Sequence, residues 1–150
     1  MIKAQDVAKL RAETGVGIMD AKKALTETNG DFEAAREILQ KKFAEKAAKK
    51  ADRETSEGLI GTYVHNGKIG VMVALACETD FVARNDDFKE LAQNLALHIA
   101  AMVPEGSSIE DMLQTQYIKD PSLTIEELIK EKIATIGENI KLKEYKKVSL

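Results

Sequence analysis

One short segment of the sequence combines residue types that could act on a partner molecule. Glu78–Asn85 (ETDFVARN) follows an apolar run of Val, Leu and Ala, and it places an acid, Asp80, directly before an aromatic residue, Phe81. At a corner between a strand and a helix, such a ring is either an exposed wedge or a core side chain beneath the following helix. The residue types alone favour the core position, so this segment does not define a function by itself.

Residues suited to covalent chemistry are few and isolated. His65 lies beside an expected turn and His98 on an expected helix, without HxxxH or HExxH spacing, and we interpret them as a polar turn residue and a helix-flank residue. The single cysteine, Cys77, ends the most apolar strand, where a small buried side chain is typical. Gly15-x-Gly17 lacks the third glycine and the preceding strand of a dinucleotide loop. We predict no catalytic residue, no metal site and no cofactor, and thus no enzyme.

Residues 54–150 are predicted to form an α+β domain that holds this segment. Alternation over 59–64 and the apolar run Ile69–Ala76 predict a hairpin that turns at Asn66-Gly67, and its second strand is expected to be buried on both faces. Apolar residues at helical spacing predict a helix over Asp87–Met102, capped by Asp86 or Asp87.

The remainder of this domain is predicted to be a loop, a helix and a strand. Residues 103–123 contain both prolines and indicate a loop with one helical turn at Ile109–Leu113. Thr124 and Glu127 form the capping-box pattern of a helix over Ile125–Ile136. Alternating lysines over Ile140–Val148 predict an edge strand. The fold class is therefore α+β, with a three-stranded antiparallel sheet packed against two helices.

Residues 1–53 are predicted to form a separate bundle of three short helices. The first helix stops at 14–17 (TGVG), the second covers about Ile18–Thr26, and Asp31 caps the third. The lysine-rich segment Lys41–Arg53 extends the third helix as a connector. Because about 40 residues is near the lower limit of independent stability, this bundle should depend on its connector or on a partner.

Composition restricts the classes of function. Aromatic residues make up 5% of the chain and Trp is absent, which argues against base-stacking platforms and aromatic sugar clefts. A net charge of -3 argues against a whole-molecule nucleic-acid binder. No apolar run approaches the roughly 18 residues of a membrane span. We expect a cytoplasmic protein, with an organellar matrix as the alternative, and no direct contact with nucleic acid or membrane.

Five segments, in order along the chain, resemble the elongation factor Ts family of bacteria and organelles. They are Leu10–Leu25 (LRAETGVGIMDAKKAL), Lys46–Arg53 (KAAKKADR), Thr79–Asn85 (TDFVARN), Leu97–Ala100 (LHIA) and Ile136–Ile140 (IGENI). Five ordered matches are far more specific than TDFV alone. The resemblance implies a guanine nucleotide exchange factor for the translational GTPase elongation factor Tu.

The resemblance also implies how the first 53 residues act. They would form a ubiquitin-associated-like bundle that docks on the nucleotide-binding domain of the GTPase through Val16, Met19 and Lys23. A flexible thioether adapts to an apolar groove, and a lysine suits its rim.

A second contact is implied for Thr79, Asp80, Phe81 and Val82. This corner would enter beside the magnesium end of the nucleotide site. Because Mg²⁺ requires near-ideal octahedral geometry, a small displacement around it weakens the metal and then the β-phosphate. Phe81 would wedge into an apolar pocket, and Asp80 would disturb the groups that support the metal without ligating it tightly.

The chain departs from the family in its length. Longer members carry a second core module or a long helical hairpin where this chain has only residues 103–123. His65 could supply an additional contact. Short members tend to pair two cores, which favours a homodimer through the sheet face or through Ile140–Val148; the alternatives are a monomer that does not need the missing half and a deletion that weakens activity.

Two functions of other classes compete with nucleotide exchange. A ubiquitin-associated-like adaptor that binds a partner without exchange would explain the bundle, but it leaves residues 78–85 unexplained. RNA binding through Lys41–Arg53 has the weakest support, because residues 1–53 are only slightly positive.

Overall fold

Seven helices and five strands form the protein, and the computed structural model describes all residues from Met1 to Leu150. The helices are α1 (Ala4–Thr14), α2 (Ile18–Glu27), α3 (Phe32–Lys50), α4 (Asp80–Ala83), α5 (Asp86–Met102), α6 (Ile109–Leu113) and α7 (Ile125–Ile136). The strands are β1 (Glu57–His65), β2 (Ile69–Cys77), β3 (Gln116–Tyr117), β4 (Asp120–Thr124) and β5 (Lys141–Ser149). The fold is α+β, as predicted.

Helices α1 to α3 pack around a small hydrophobic cluster of their own. Leu10, Leu25 and Leu39 are its largest fully buried side chains. Helix α1 ends where Gly15 adopts a positive φ of 74° and donates its N–H to the Arg11 carbonyl. Helix α3 begins at the predicted cap, because the Asp31 side chain accepts the N–H of Ala34 at 3.1 Å. The predicted bounds of α1 and α2 and the cap of α3 are confirmed to within a residue, whereas α3 ends at Lys50, before the predicted end of the connector at Arg53.

A larger hydrophobic cluster lies between the three-stranded sheet and helices α5 and α7. The sheet is antiparallel in the order β1-β2-β5, so β5 is an edge strand as predicted. Helix α5 approaches β1 closely at Gly61, where an added Cβ would lie 2.9 Å from the Ala92 carbonyl oxygen. Its N-cap is Asn85, whose side chain accepts the Asp87 N–H, so the assignment of the cap to Asp86 or Asp87 was wrong.

Strand β2 is exposed on one face around Met72 and is buried on both faces only at its end, near Ala76, which corrects the expectation of burial on both faces throughout. Val71, Val73 and Leu75 point into the core, whereas Met72 on the opposite face is 54% exposed. Ile60 and Val64 of β1 and Val148 of β5 are exposed as well, and the strand register places them on the same face as Met72. No second layer of this chain covers that face, which we call the outer sheet face.

The segment expected to be a loop contains α6, as predicted, but also a small hairpin of β3 and β4. His98 on α5 holds this segment from within the core and is fully buried, so its assignment to a helix flank was wrong. Its Nδ1 accepts the N–H of Ile118 at 3.1 Å, and its Nε2 lies 2.8 Å from the Thr115 hydroxyl oxygen. Burial lowers the pKa of His98 to about 4, so the imidazole is neutral at physiological pH.

The bundle and the α+β part contact each other directly. Arg36 on α3 pairs with Asp120 of β4 at 2.6 Å and with Glu13 of α1 at 3.2 Å. Helix α3 also packs along α7, and Ala47 near its end belongs to the larger hydrophobic cluster. None of the helices combines the length and the apolar character that crossing a membrane requires.

Candidate functional site

The corner after β2 presents its aromatic side chain to solvent. Thr79 is the N-cap of the short helix α4, and its hydroxyl oxygen accepts the Val82 N–H at 3.3 Å. Phe81 is 80% exposed, whereas Val82 and Ala83 are buried against the sheet. The interpretation of Phe81 as a core residue was therefore wrong, because Val82 and Ala83 occupy the buried side of α4.

The charged side chains on α4 are also at the surface. Asp80 and Arg84 form an ion pair of 2.7 Å one turn apart, and both side chains are mostly exposed. Water and salt screen such a pair, so it contributes at most about 1 kcal/mol. The Asp80 carboxylate can therefore leave Arg84 for another partner at little cost.

The backbone entering α4 is held by a residue that lies 60 positions away. Glu138 accepts the N–H of Glu78 at 3.1 Å, the N–H of Thr79 at 3.0 Å and the hydroxyl of Thr79 at 2.7 Å. In the opposite direction, Glu78 accepts the N–H of Asn139 at 2.7 Å. Asn139 is buried and donates its side-chain amide to the carbonyl of Arg53 at 2.9 Å.

The residues expected to dock on the GTPase differ in their exposure. Met19 is 73% exposed and Lys23 is exposed on the same helix, α2. Both border a shallow surface groove, together with Asp20 and Lys22. Val16 is only 7% exposed and packs within the bundle, so its side chain supports the loop before α2 from inside and does not offer a surface contact.

His65 lies at the tip of the β1–β2 hairpin, far along the sheet from the corner. Its ring is exposed, with Nδ1 2.9 Å from the Tyr63 hydroxyl and Nε2 3.3 Å from the Asn66 side-chain amide. Positive φ angles at Asn66 and Gly67 form the predicted turn. The structure thus separates His65 from the corner and from the bundle.

Residue patterns did not identify the roles of Glu138 and Arg36. Glu138 follows the glycine that ends α7, a position that by itself indicates only a helix terminus. Arg36 lies among charged residues on a long helix and gives no signal of burial in the sequence. The only available signal was the similarity of Ile136–Ile140 to a family segment, which marks the segment without explaining it.

An anchored, exposed corner and a bundle with an exposed methionine are typical of a protein that works by contacting a folded partner. The family model described as elongation factor TS matches residues 78–150. Elongation factor Ts of Fervidobacterium nodosum is 43% identical over 193 aligned positions, which cover 99% of this chain and 98% of that protein. This chain belongs to the elongation factor Ts family.

Relatives in the family are longer than this chain to different extents. The Fervidobacterium alignment has more positions than the 150 residues present here, so that relative contains residues without a counterpart in this chain. Elongation factor Ts of Nostoc punctiforme is 48% identical over 145 residues, which cover 96% of this chain and 45% of that protein. A chloroplastic polyprotein of EF-Ts from rice is 39% identical over 193 positions, covering 99% of this chain and 17% of its own length. Family membership supports a general role in nucleotide exchange on elongation factor Tu.

Proposed function

We propose that this protein accelerates GDP release from elongation factor Tu by inserting the Asp80–Phe81 corner beside the Mg²⁺ and phosphate end of the nucleotide site. The observation that carries the proposal is the exposure of Phe81 at the tip of an anchored helix. Complete burial of such a side chain yields about 1.5–3 kcal/mol, which can offset the deformation of a partner pocket.

Asp80 contributes through charge. Its ion pair with Arg84 is weak and exposed, so the carboxylate is free to compete for hydrogen bonds that support the partner's Mg²⁺. Because the metal tolerates little distortion of its octahedral shell, displacing those supports weakens the metal and the phosphates together. The protein forms no covalent bond in this scheme. It lowers the affinity of the GTPase for GDP, and GDP lowers the affinity of the GTPase for this protein by the same factor.

Residues 1–53 supply docking in this proposal, and residues 54–150 supply exchange. Met19 and Lys23 form the docking contact, and Val16 shapes the loop beneath them. A protein that docked without inserting the corner would be the adaptor described above. The place of action that we propose is the bacterial cytoplasm or an organellar matrix, without direct contact to nucleic acid or membrane.

Stopped-flow release of a fluorescent GDP analogue from elongation factor Tu tests this function. Phe81→Ala should slow the stimulated release by roughly tenfold or more, as expected for truncation of a central buried aromatic. Met102→Ala, which truncates a half-exposed side chain on α5, is the matched control and should behave like the wild type. Wild-type release with Phe81→Ala would refute the wedge, and tight binding without acceleration would favour the adaptor.

A second copy of this chain is a further partner in our proposal. The outer sheet face presents Ile60, Val64, Met72 and Val148 without cover, which is the kind of apolar patch that marks an interface. Edge-to-edge pairing through β5 is less favoured, because the lysines of this strand would repel those of the same strand in a second copy. Met72→Glu should therefore shift sedimentation at about 100 μM from dimer to monomer. A monomeric wild type at that concentration would exclude the dimer.

A further inference from the structure

We propose that Glu138 is a positioning residue that holds the Asp80–Phe81 corner in the conformation needed for insertion. This inference rests on the function proposed above, and it concerns a partly buried side chain outside the Asp80–Phe81 corner. Its basis is the set of hydrogen bonds that converge on the two residues preceding α4.

The Glu138 carboxylate uses both of its oxygens on this segment. Oε1 accepts two backbone N–H groups, those of Glu78 and Thr79, and Oε2 accepts the Thr79 hydroxyl. Hydrogen bonds to an ionised acceptor are stronger than those between neutral groups. One side chain thus fixes two consecutive peptide units and one side-chain rotamer immediately before the helix that bears Phe81.

The bond to the Thr79 hydroxyl also sets the cap of α4. A hydroxyl has one hydrogen, and Thr79 donates it to Glu138, so a lone pair of the same oxygen is directed to the Val82 N–H. A helix of four residues has few internal hydrogen bonds and is not stable in isolation. Its geometry therefore depends on this cap, and the cap depends on Glu138.

A reciprocal set of bonds extends the connection to the end of the helical connector. Glu78 accepts the backbone N–H of Asn139, and the buried Asn139 side chain donates to the carbonyl of Arg53. The corner, the segment after α7 and the chain leaving α3 therefore form one network. Without Glu138, the strand-to-helix turn loses the hydrogen bonds from Glu78 and Thr79 that immediately precede α4.

The consequence for function is a loss of preorganisation. If the corner becomes ordered only during docking, the free-energy cost of that ordering is subtracted from the binding free energy. Less binding free energy then remains to open the nucleotide site. We expect Glu138→Ala to lower the maximal rate of stimulated GDP release by about three- to tenfold. The concentration that gives half-maximal release should stay nearly constant, because Met19 and Lys23 are unchanged.

A measurement without the GTPase tests the positioning itself. The chain has no Trp, so Phe81→Trp introduces a single fluorophore at the corner. Adding Glu138→Ala should lower its fluorescence anisotropy and speed hydrogen exchange of the Val82 amide. The matched control is Glu127→Ala, which removes a carboxylate-to-backbone bond to Thr124 at the other end of α7, about 18 Å away, and should change neither signal. Unchanged anisotropy and exchange in Glu138→Ala would overturn the inference.

The exchange assay separates failure of this inference from failure of the proposed function. If Phe81→Ala releases GDP like the wild type, the function is wrong, and the anisotropy still decides the role of Glu138. If Phe81→Ala is slow but folded Glu138→Ala reaches the wild-type maximal rate, positioning is wrong. An increase in half-maximal concentration alone would also overturn it, because that result indicates docking.

Two further variants keep the inference testable if Glu138→Ala does not fold. Thr79→Val removes only the hydroxyl and should reproduce the lower maximal rate. Glu138→Gln keeps one carbonyl oxygen for the backbone N–H pair and should restore part of the rate. Wild-type maximal rates in folded Thr79→Val would contradict the dependence of the cap on this network.

Discussion

Replacing Glu131 by glutamine should stabilise the protein at neutral and alkaline pH and leave its stability near pH 4 unchanged. Glu131 lies on α7 and is only 3% exposed, at the wall of a cavity of about 280 Å³ between the bundle and the α+β part. Burial disfavours the charged carboxylate and raises the pKa of Glu131 to about 7, although Lys132 and Arg36 partly oppose this shift.

The sign of the effect follows from proton binding. Between pH 4.5 and pH 7, the folded protein keeps a proton on Glu131 that the unfolded chain has released, so folding stability falls as the pH rises through this range. With about 1.4 kcal/mol per pH unit, the total loss approaches about 3 kcal/mol above pH 7. Glutamine has the shape of the protonated acid and never ionises, so the variant should avoid this loss.

A buried histidine makes the comparison more informative. Burial lowers the pKa of His98 from 6.5 to about 4, so the unfolded chain takes up a proton first as the pH falls. His98 therefore reduces stability by up to about 3 kcal/mol between pH 6.5 and pH 4, a slope opposite to that of Glu131. The two slopes nearly cancel from pH 4.5 to 6.5 in the wild type, and Glu131→Gln should uncover the slope of His98.

Urea unfolding followed by far-ultraviolet circular dichroism, repeated from pH 4.5 to pH 8.5, measures both effects. The exposed carboxylate of Glu144 on β5 provides the matched control, and Glu144→Gln should follow the wild-type curve within about 0.5 kcal/mol. Parallel curves for the wild type and Glu131→Gln across the whole range would refute the reasoning, because they would show that Glu131 titrates alike in the folded and unfolded chains.

Two other substitutions test the packing that positions the site. Gly61→Ala should lower the free energy of unfolding by roughly 1–3 kcal/mol, because the added Cβ would lie 2.9 Å from the backbone of Ala92. Gly70→Ala is the control: an added Cβ there would meet open space, so the free energy of unfolding should change far less in the same urea assay. Arg36→Met should lower the free energy of unfolding at pH 7 by about 2 kcal/mol, and with it the midpoint of thermal unfolding, because it leaves the carboxylates of Asp120 and Glu13 without their ion-pair partner. A shift in the urea midpoint of Gly70→Ala equal to that of Gly61→Ala, or an unchanged melting temperature of Arg36→Met, would contradict these expectations.

Local sequence patterns predicted most helix and strand boundaries because the forces that set those boundaries are local. Asp31 caps α3, Asn66-Gly67 forms a turn with two positive φ angles, and Thr124 with Glu127 forms a complete capping box. Each of these features uses side-chain or backbone chemistry within four residues. Neighbouring residue types are therefore sufficient to recognise them.

Features that depend on distant parts of the chain were not predictable in this way. The apolar character of β2 does not reveal whether a second layer covers Met72, and in this chain none does. The hairpin of β3 and β4 is held by His98, 20 residues from Ile118, and by Arg36, 84 residues from Asp120. A sequence pattern contains no record of such pairings, so this segment was expected to be a loop.

The position of Phe81 shows the same limit within the candidate site. Either Phe81 or its neighbours could have filled the space beneath α4, and residue types favoured the larger side chain. The structure assigns that space to Val82 and Ala83 and leaves Phe81 exposed. The capping residue Thr79 is hydrogen-bonded to Glu138, which is distant in sequence, so residues 78–85 alone do not contain all the contacts of this corner.

The structure between the two proposed contacts must be stiff if the free energy of docking is to favour insertion of the Asp80–Phe81 corner. Energy gained where Met19 binds can favour insertion of Phe81 only if the intervening structure resists bending. Helix α3 joins the two parts and is tied near its start by Arg36 to Asp120 and just after its end by the Arg53 carbonyl to Asn139. Loosening either tie should therefore reduce the maximal exchange rate more than the affinity for the GTPase, because docking would persist while its energy no longer reached the corner.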